Sequence, residues 1–229
     1  MAAELVLRGV APGTAAIAPS VFRNRWYLAD SYAGLTFRES LAIINPDPAR
    51  AAAVRLLSYG ADGLPPSVHQ LTVPPGHPAG VAINQILSRG SRGIVVVADR
   101  PVALTRTMVF GANGEGVGVA VGQENTSTTW RFASGGPHAV ESFLAILNPG
   151  AAPARLSVHL AGRDAGSRRV MQVRVPGRTR ATISLGSAMR DPGARITLIS
   201  DAPIVAEIAA YSGSPNAVGV FSAGAAAAP

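Results

Sequence analysis

The sequence predicts an all-β protein made of two tandem immunoglobulin-like antiparallel β-sandwich domains, and three observations carry this prediction. An ordered set of motifs recurs at an offset of about 103 residues, as from Leu41 to Leu144. Short apolar runs alternate with turn residues, supplied by 25 Gly and 18 Pro. No long helix can be placed, since the helix-like stretches Gly80 to Leu87 and Ser184 to Met189 are short.

The repeat rests on segments that occur in the same order in both halves of the chain. We therefore predict an N-terminal extension over residues 1–25, a first module over 26–124 and a second over 125–229, which ends in an Ala-rich tail. The boundary is placed in the polar run Gln123 to Thr129. The paired segments are Trp26–Ala29 with Trp130–Ala133, Leu41–Pro46 with Leu144–Pro149, Leu71–Gly76 with Val173–Gly177, Asp99–Ala103 with Asp201–Val205, and Gly118–Gly122 with Gly219–Ser222.

Each module contains about seven short strand candidates separated by turns, which is the spacing of an immunoglobulin-like sandwich. Alternation supports the assignment, because Met171, Val173 and Val175 share one face of their strand. Proline ends strands at Asn148-Pro149 and after Val175. In the second module the candidates are 130–133, 141–147, 154–160, 168–175, 180–185, 194–200 and 204–212.

Two tryptophans and two asparagines anchor the modules. Trp26 and Trp130 begin apolar strands at matching places, so we predict that they fill the cores; an exposed Trp would instead indicate a ligand-stacking platform. Asn45 and Asn148 precede proline, and their side chains are expected to bond nearby backbone where each strand ends.

Composition excludes several kinds of chemistry. The absence of Cys removes disulfides, thiolate metal sites and cysteine nucleophiles. All 20 basic residues are arginine and the net charge is +7, which favours anionic partners such as acidic polysaccharide, phosphate-bearing polymer or nucleic acid, unless the charge is simply solvated surface. The four histidines, His69, His77, His138 and His159, lack metal-ligand spacing, so neither a metal nor another cofactor is expected.

Catalytic residues are not apparent. Glu39, Glu141 and Glu207 lie within otherwise apolar strands, and a glycosidase would need two of them to face one cleft. A solvent-facing or salt-bridged role is favoured for all three. Gly111 to Gly116 resembles a phosphate loop only superficially, since it is expected to join two strands as a hairpin. We therefore predict that the protein is not an enzyme.

One cluster of charges stands out in the second module. Arg174 and Arg180 are predicted to project from the outer face of a hairpin turned at Pro176-Gly177. Together they would form a positive stripe that binds an anionic glycan or polymer. A solvated edge, protected by charge against strand pairing, explains the same residues. The candidate binding residues are Arg168, Arg169, Arg174, Arg178 and Arg180.

The N-terminal segment carries no signal-peptide pattern, and no run of apolar residues is long enough to span a membrane. We expect either a mature chain or a piece of a longer one, without membrane insertion. Leu5-Val6-Leu7 could form a strand that pairs with a neighbouring subunit, or it could fold back on its own module.

These anchors resemble tandem immunoglobulin-like modules of uncharacterised function in secreted or cell-surface bacterial proteins. Their repeat reads approximately W-Y-F-A-E-G, then N-P, V-P-P and P-I-V-A-E-R. The matching pieces here are Trp26–Asp30, Asn45-Pro46, Val73–Pro75 and Pro203–Glu207. The sequence departs from the pattern at Ser134, where the acidic residue is missing, and at Thr105-Arg106, where no acid precedes the arginine.

The resemblance implies an extracellular or cell-surface protein with a non-catalytic structural or assembly role: a stalk, a filament or surface-layer subunit, or an adhesive module. Its partners would be copies of itself or other surface proteins. The alternative is a binding module for an anionic glycan or polymer, through the arginines of the second module. No specific nucleic-acid partner is expected.

Overall fold

The computed structural model describes residues 20–87, 89–111, 116–133, 139–162, 168–186, 188, 191, 193–212, 219–223 and 225–226. The predicted Leu5–Leu7 strand lies outside these residues. The first half of the chain forms β1 (Arg23–Ala33), β2 (Phe37–Ile44), β3 (Ala52–Tyr59), β4 (Ser67–Val73), β5 (Pro78–Ala82), α1 (Ile83–Ile86), β6 (Gly90–Phe110) and β7 (Gly116–Val121).

The second half forms β8 (Ser127–Ala133), β9 (Ala139–Asn148), β10 (Ala154–Ala161), β11 (Arg168–Val175), β12 (Thr179–Gly186), β13 (Arg195–Ser212), β14 (Gly219–Ala223) and β15 (Ala225–Ala226). All pairings are antiparallel, so the prediction of an all-β protein is confirmed. Of the helix-like stretches, the first is strand β5 followed by the single turn α1, and residues 184–186 of the second end strand β12.

One long strand in each half joins two layers of sheet. The first part of β6 pairs with β1 and β3, and its second part pairs with β2 and β7. Strand β13 likewise pairs with β8 and β10 and then with β9 and β14. The predicted strands 194–200 and 204–212 are therefore one continuous strand. Pro203 is accommodated because it lies where the pairing passes between sheets, so no ladder needs its missing N–H.

Both tryptophans are fully buried, which confirms their predicted place in the core. Trp26 Nε1 donates to the carbonyl of Val102 at 2.7 Å, and Trp130 Nε1 donates to that of Ile204 at 3.1 Å. Each indole therefore satisfies its polar group on the long strand of its own half while the ring fills the apolar interior.

Asn45 and Asn148 are buried and tie three backbone segments together, which confirms their predicted turn role. Asn45 Nδ2 donates to the carbonyls of Arg50, Val73 and Pro74. Asn148 Nδ2 donates to the corresponding carbonyls of Ala152, Val175 and Pro176. The β6–β7 pairing also confirms the predicted hairpin, although loop residues 112–115 lie outside the described part of the chain.

No helix in the described residues is long and apolar enough to cross a membrane.

Candidate functional site

The two halves of the chain meet along strands that are buried on both faces. Residues 26–31 of β1 are all buried. Trp26 and Leu28 lie in the core of the first half, whereas Tyr27 and Ala29 belong to the core cluster of the second half. Strand β1 contacts β9 and β13 across this boundary. The outer face of β1 is thus an interface with the second half.

Five charged residues lie at this boundary, and we call them the buried charge network: Asp30, Glu39, Arg106, Arg180 and Glu207. All are less than a tenth exposed. The first three come from the first half and the last two from the second. Sheet strands hold them in place, because β1, β2, β6, β12 and β13 each supply one member.

Two ion pairs of the network join the halves. Arg106 Nη1 lies 3.2 Å from Glu207 Oε2 and also donates to the carbonyl of Asp30. Arg180 Nη2 lies 3.2 Å from Asp30 Oδ1. The backbone N–H of Asp30 donates to Glu207 Oε2 at 2.8 Å. Since each pair takes one partner from each half, separating the halves would break both ion pairs.

Glu39 is the third carboxyl group of the network. Its Oε2 accepts from Ser31 Oγ at 2.8 Å and from the N–H of Tyr32 at 2.9 Å. Burial raises the pKa of Glu39 to about 7, although Arg106 and these hydrogen bonds oppose the shift. With Glu39 protonated, two arginines face the two carboxylates of Asp30 and Glu207.

Burial also acts against the charged forms of Glu207, Arg180 and Arg106. It raises the pKa of Glu207 despite the nearby Arg106, and it lowers the pKa of Arg180 despite Asp30. For Arg106, burial alone would lower the pKa, but the carboxyl groups of Glu207, Glu39 and Asp30 outweigh it and raise the value. Arg106 is therefore the fixed positive charge at the centre of the network.

An aromatic cluster lies beside the network and also crosses the boundary. The ring of Tyr211 makes edge contacts with Phe37, Phe110 and Phe143, at centroid distances of 5.9, 5.2 and 6.2 Å. Burial raises the pKa of Tyr211, and Asp30 adds to the shift. The cluster therefore packs Tyr211 of the second half against two rings of the first.

Only part of this network was visible in the sequence. Glu207 is ion-paired and Glu141 is exposed, as expected, but Glu39 is buried without a salt bridge in the described structure. Sequence reasoning missed Asp30 and Arg106. The available signal was a departure from the P-I-V-A-E-R pattern. The first half has the arginine, Arg106, without the acid before it, and the second half has the acid, Glu207.

The structure corrects the predicted arginine hairpin. Strand β11 pairs with β10 whereas β12 pairs with β9, so the chain turns a corner between two sheets at Pro176-Gly177. Arg180 therefore points into the boundary and is buried, and it cannot belong to an exposed stripe. The other candidates are exposed: Arg168, Arg169 and Arg174 on β11, and Arg178 in the corner.

A cleft of about 580 Å³ opens between the halves, and we call it the inter-half cleft. Two arginines and two tyrosines line it together with apolar and small residues. In the described residues, no group of three or more His, Asp or Glu could hold a metal ion. The lining residues are Arg25, Tyr27, Leu57, Tyr59, Pro66, Val95, Val97, Thr126, Pro149, Gly150, Arg178 and Pro203.

The DUF5719 profile, a family of unknown function, matches residues 6–229. The chain belongs to this family. DUF5719 carries no assigned activity, and no curated protein shows significant sequence similarity to the chain.

Two solved structures are distantly similar to this DUF5719 protein. A crystal structure of Thermotoga maritima 1070 is 21% identical, with a TM-score of 0.40, over 44% of this chain and 92% of that one. The Streptomyces avermitilis alpha-L-rhamnosidase complexed with L-rhamnose is 13% identical, with a TM-score of 0.26, over 91% of this chain and 29% of that one. Neither similarity is close enough to support an argument about function.

Proposed function

We propose that this protein is a non-catalytic structural element of the cell exterior, in which two tandem immunoglobulin-like modules are locked into one rigid unit of a stalk, filament or surface layer. The observation that carries the proposal is the buried charge network. Its ion pairs, Arg106 with Glu207 and Asp30 with Arg180, each join one half to the other.

Close packing around the network supports the same conclusion. The backbone N–H of Arg180 donates to the carbonyl of Gly60 in the other half at 2.9 Å. A Cβ atom added to Gly93 would come within 2.8 Å of Leu147 Cδ1, so the two halves are in close contact there. A flexible tether between independent modules would need neither feature.

Burial of the carboxylates supports a structural role over a catalytic one. Glu39 and Glu207 are 1% and 3% exposed, so a substrate cannot reach either group. Their hydrogen bonds are made to Ser31, to backbone N–H groups and to Arg106. The contacts of Glu207 join the two halves, and those of Glu39 tie β2 to β1, so both carboxyl groups are engaged within the protein and neither is directed at a ligand.

Small-angle X-ray scattering with light scattering tests the rigid unit. We expect one scattering profile, fitted by a single arrangement of the halves, at low and at high salt, because buried ion pairs are poorly screened. The double variant Asp30→Asn with Glu207→Gln should need several arrangements. A wild-type profile that itself requires a mixture of orientations would contradict the proposal, and a mass that rises with concentration would favour a filament or layer subunit over a stalk.

A second function, binding of an anionic polymer, is favoured by the edge strand β11. It exposes Arg168, Arg169 and Arg174, and no salt bridge within the described residues neutralises them. Binding of a polyanion should weaken steeply with salt and be lost when all three become alanine. Binding that survives the triple substitution excludes β11. Arg180 is unsuitable for this test because its removal disturbs the boundary.

A further inference from the structure

The inter-half cleft has the size and lining of a small-ligand site. Its volume of about 580 Å³ lies within the range of roughly 300–1,000 Å³ found for such sites. Much of the lining is apolar, with Leu57, Val95 and Val97, and Tyr27 and Tyr59 also border the cleft. Both halves contribute, so the cleft exists only in the joined arrangement.

The charge of the cleft is positive and unbalanced. Arg25 and Arg178 line it from opposite halves, and no Asp or Glu is among the lining residues. Within the described part of the chain, neither guanidinium makes an ion pair or a side-chain hydrogen bond. Burial raises the pKa of Tyr59, while Arg178 and Arg25 both lower it, so the two charges converge on one ring.

Arg178 is held in a backbone conformation that the fold does not require of an arginine. Its φ is 57°, in the left-handed region, and its N–H donates to the carbonyl of Gly150 at 2.8 Å. In the first half, the turn after Val73-Pro74 has the same bond, from the N–H of Gly76 to Asp47, but there the residue is glycine, with φ 66°. Glycine adopts this conformation without strain.

The two equivalent turns show which features the turn itself requires. Glycine suffices for the turn in the first half, whereas the second half places a strained arginine at the same point, facing the cleft. Strain of this kind is found where a side chain is needed for binding. The needs of the turn therefore do not account for an arginine at position 178, which lines the cleft.

We propose that the inter-half cleft binds an acidic saccharide, with its carboxylate held between Arg25 and Arg178. The planar guanidinium groups match a carboxylate with paired hydrogen bonds. Leu57, Val97 and the prolines of the lining are at least partly exposed and offer apolar surface to the C–H face of a sugar, and Thr126 supplies a hydroxyl group for its hydroxyls. The ligand is anionic, as in the second proposed function, but it lies in the cleft and not on β11.

Calorimetric titration with digalacturonic acid tests the ligand class, with neutral galactobiose, inorganic phosphate and a glutamate-rich peptide as comparisons. We expect saturable binding of digalacturonic acid, at least about tenfold tighter than each comparison, and weaker at high salt. No saturable binding would overturn the proposal. Equal binding of the peptide or of phosphate would also overturn it, because charge alone would then explain the affinity.

Variants locate the site. R25A and R178G should each weaken binding of digalacturonic acid by about tenfold or more. R178G should leave the urea midpoint unchanged or raised, since glycine relieves the left-handed strain; this separates lost binding from lost fold. The matched control is the β11 triple variant R168A/R169A/R174A, which should bind normally. If that control loses binding while R178G binds fully, the ligand binds β11, and the proposal of a site in the cleft is overturned.

Discussion

Single buried polar side chains hold separate backbone segments of this molecule together. Asn45 and Asn148 each donate to three backbone carbonyls from separate segments of the chain. Both were predictable from sequence because their bonds are made close to the Asn-Pro step and to its recurring Val-Pro partner. The burial of Arg180 was not predictable, because its partner Asp30 lies 150 residues away in the chain.

Glu39 makes stability depend on pH. Its pKa is about 7 in the folded state and 4.5 in the reference state, so the folded protein keeps a proton that the unfolded chain has released. The contribution of Glu39 is therefore complete below about pH 4.5 and is lost as the pH rises to about 7, amounting to a few kcal/mol. Arg106, Asp30 and Tyr211 are the charged and titratable groups that interact with it across the packed strands.

Glu39→Gln is expected to remove this slope. The amide retains an acceptor oxygen for Ser31 and Tyr32 but cannot ionise. Urea unfolding at about pH 5 and about pH 8 measures the change in the free energy of unfolding. The wild type should lose more stability than the variant over this interval; parallel pH dependences would contradict the assignment.

The long strands β6 and β13 were only partly predictable. Alternation identified most strands, including Met171, Val173 and Val175, which face the core side of β11 as expected. The prediction divided β13 into two strands, 194–200 and 204–212, and left Pro203 between them. Pro203 instead lies at the passage between sheets. The Pro-Gly turn between β11 and β12 likewise predicted a hairpin, in which the two strands would pair with each other. In the structure they pair with different strands, and the chain turns a corner between sheets.

The corner at Gly177 should tolerate no side chain. An added Cβ would lie 1.9 Å from the carbonyl oxygen of Ala151, and the opposing atom is backbone that cannot move aside. Gly177→Ala should therefore destabilise the fold by roughly 2–4 kcal/mol, as other forms of overpacking and strain do. Gly80→Ala in strand β5 is the matched control, since nothing lies within 4 Å of its Cβ position. Equal urea midpoints for the two variants would refute the clash.

At the scale of the whole molecule, the boundary between the halves contains both the buried charge network and the inter-half cleft. Its sequence signal was the unbroken apolar run at Trp26–Ala29, whose counterpart β8 alternates and exposes Arg131 and Ala133. An apolar residue on the outer face of a sheet indicates a covered surface. What covers it could not be predicted, because the strands that do so, β9 and β13, lie more than a hundred residues away.

Arg180 should contribute far more to the free energy of unfolding than an exposed arginine does. Arg180→Ala leaves Asp30 buried without its ion-pair partner, and we expect a loss of about 3–5 kcal/mol in the free energy of unfolding. Arg23→Ala breaks the exposed pair with Glu124, made at 2.8 Å, and should cost less than about 1 kcal/mol. Chemical denaturation of both variants checks the contrast. Similar losses would mean that the buried pair does not stabilise the joined halves.

The placement of the two indoles provides a separate optical reporter for each half. Trp26 and Trp130 are the two tryptophans of the chain, and each is fully buried in its own half. Replacing either by phenylalanine leaves an emission signal from the other half alone. If the boundary couples the halves as strongly as its contacts indicate, the two single-tryptophan proteins will report coincident fluorescence transitions, so that intrinsic emission can follow the cooperativity of the pair without any attached dye.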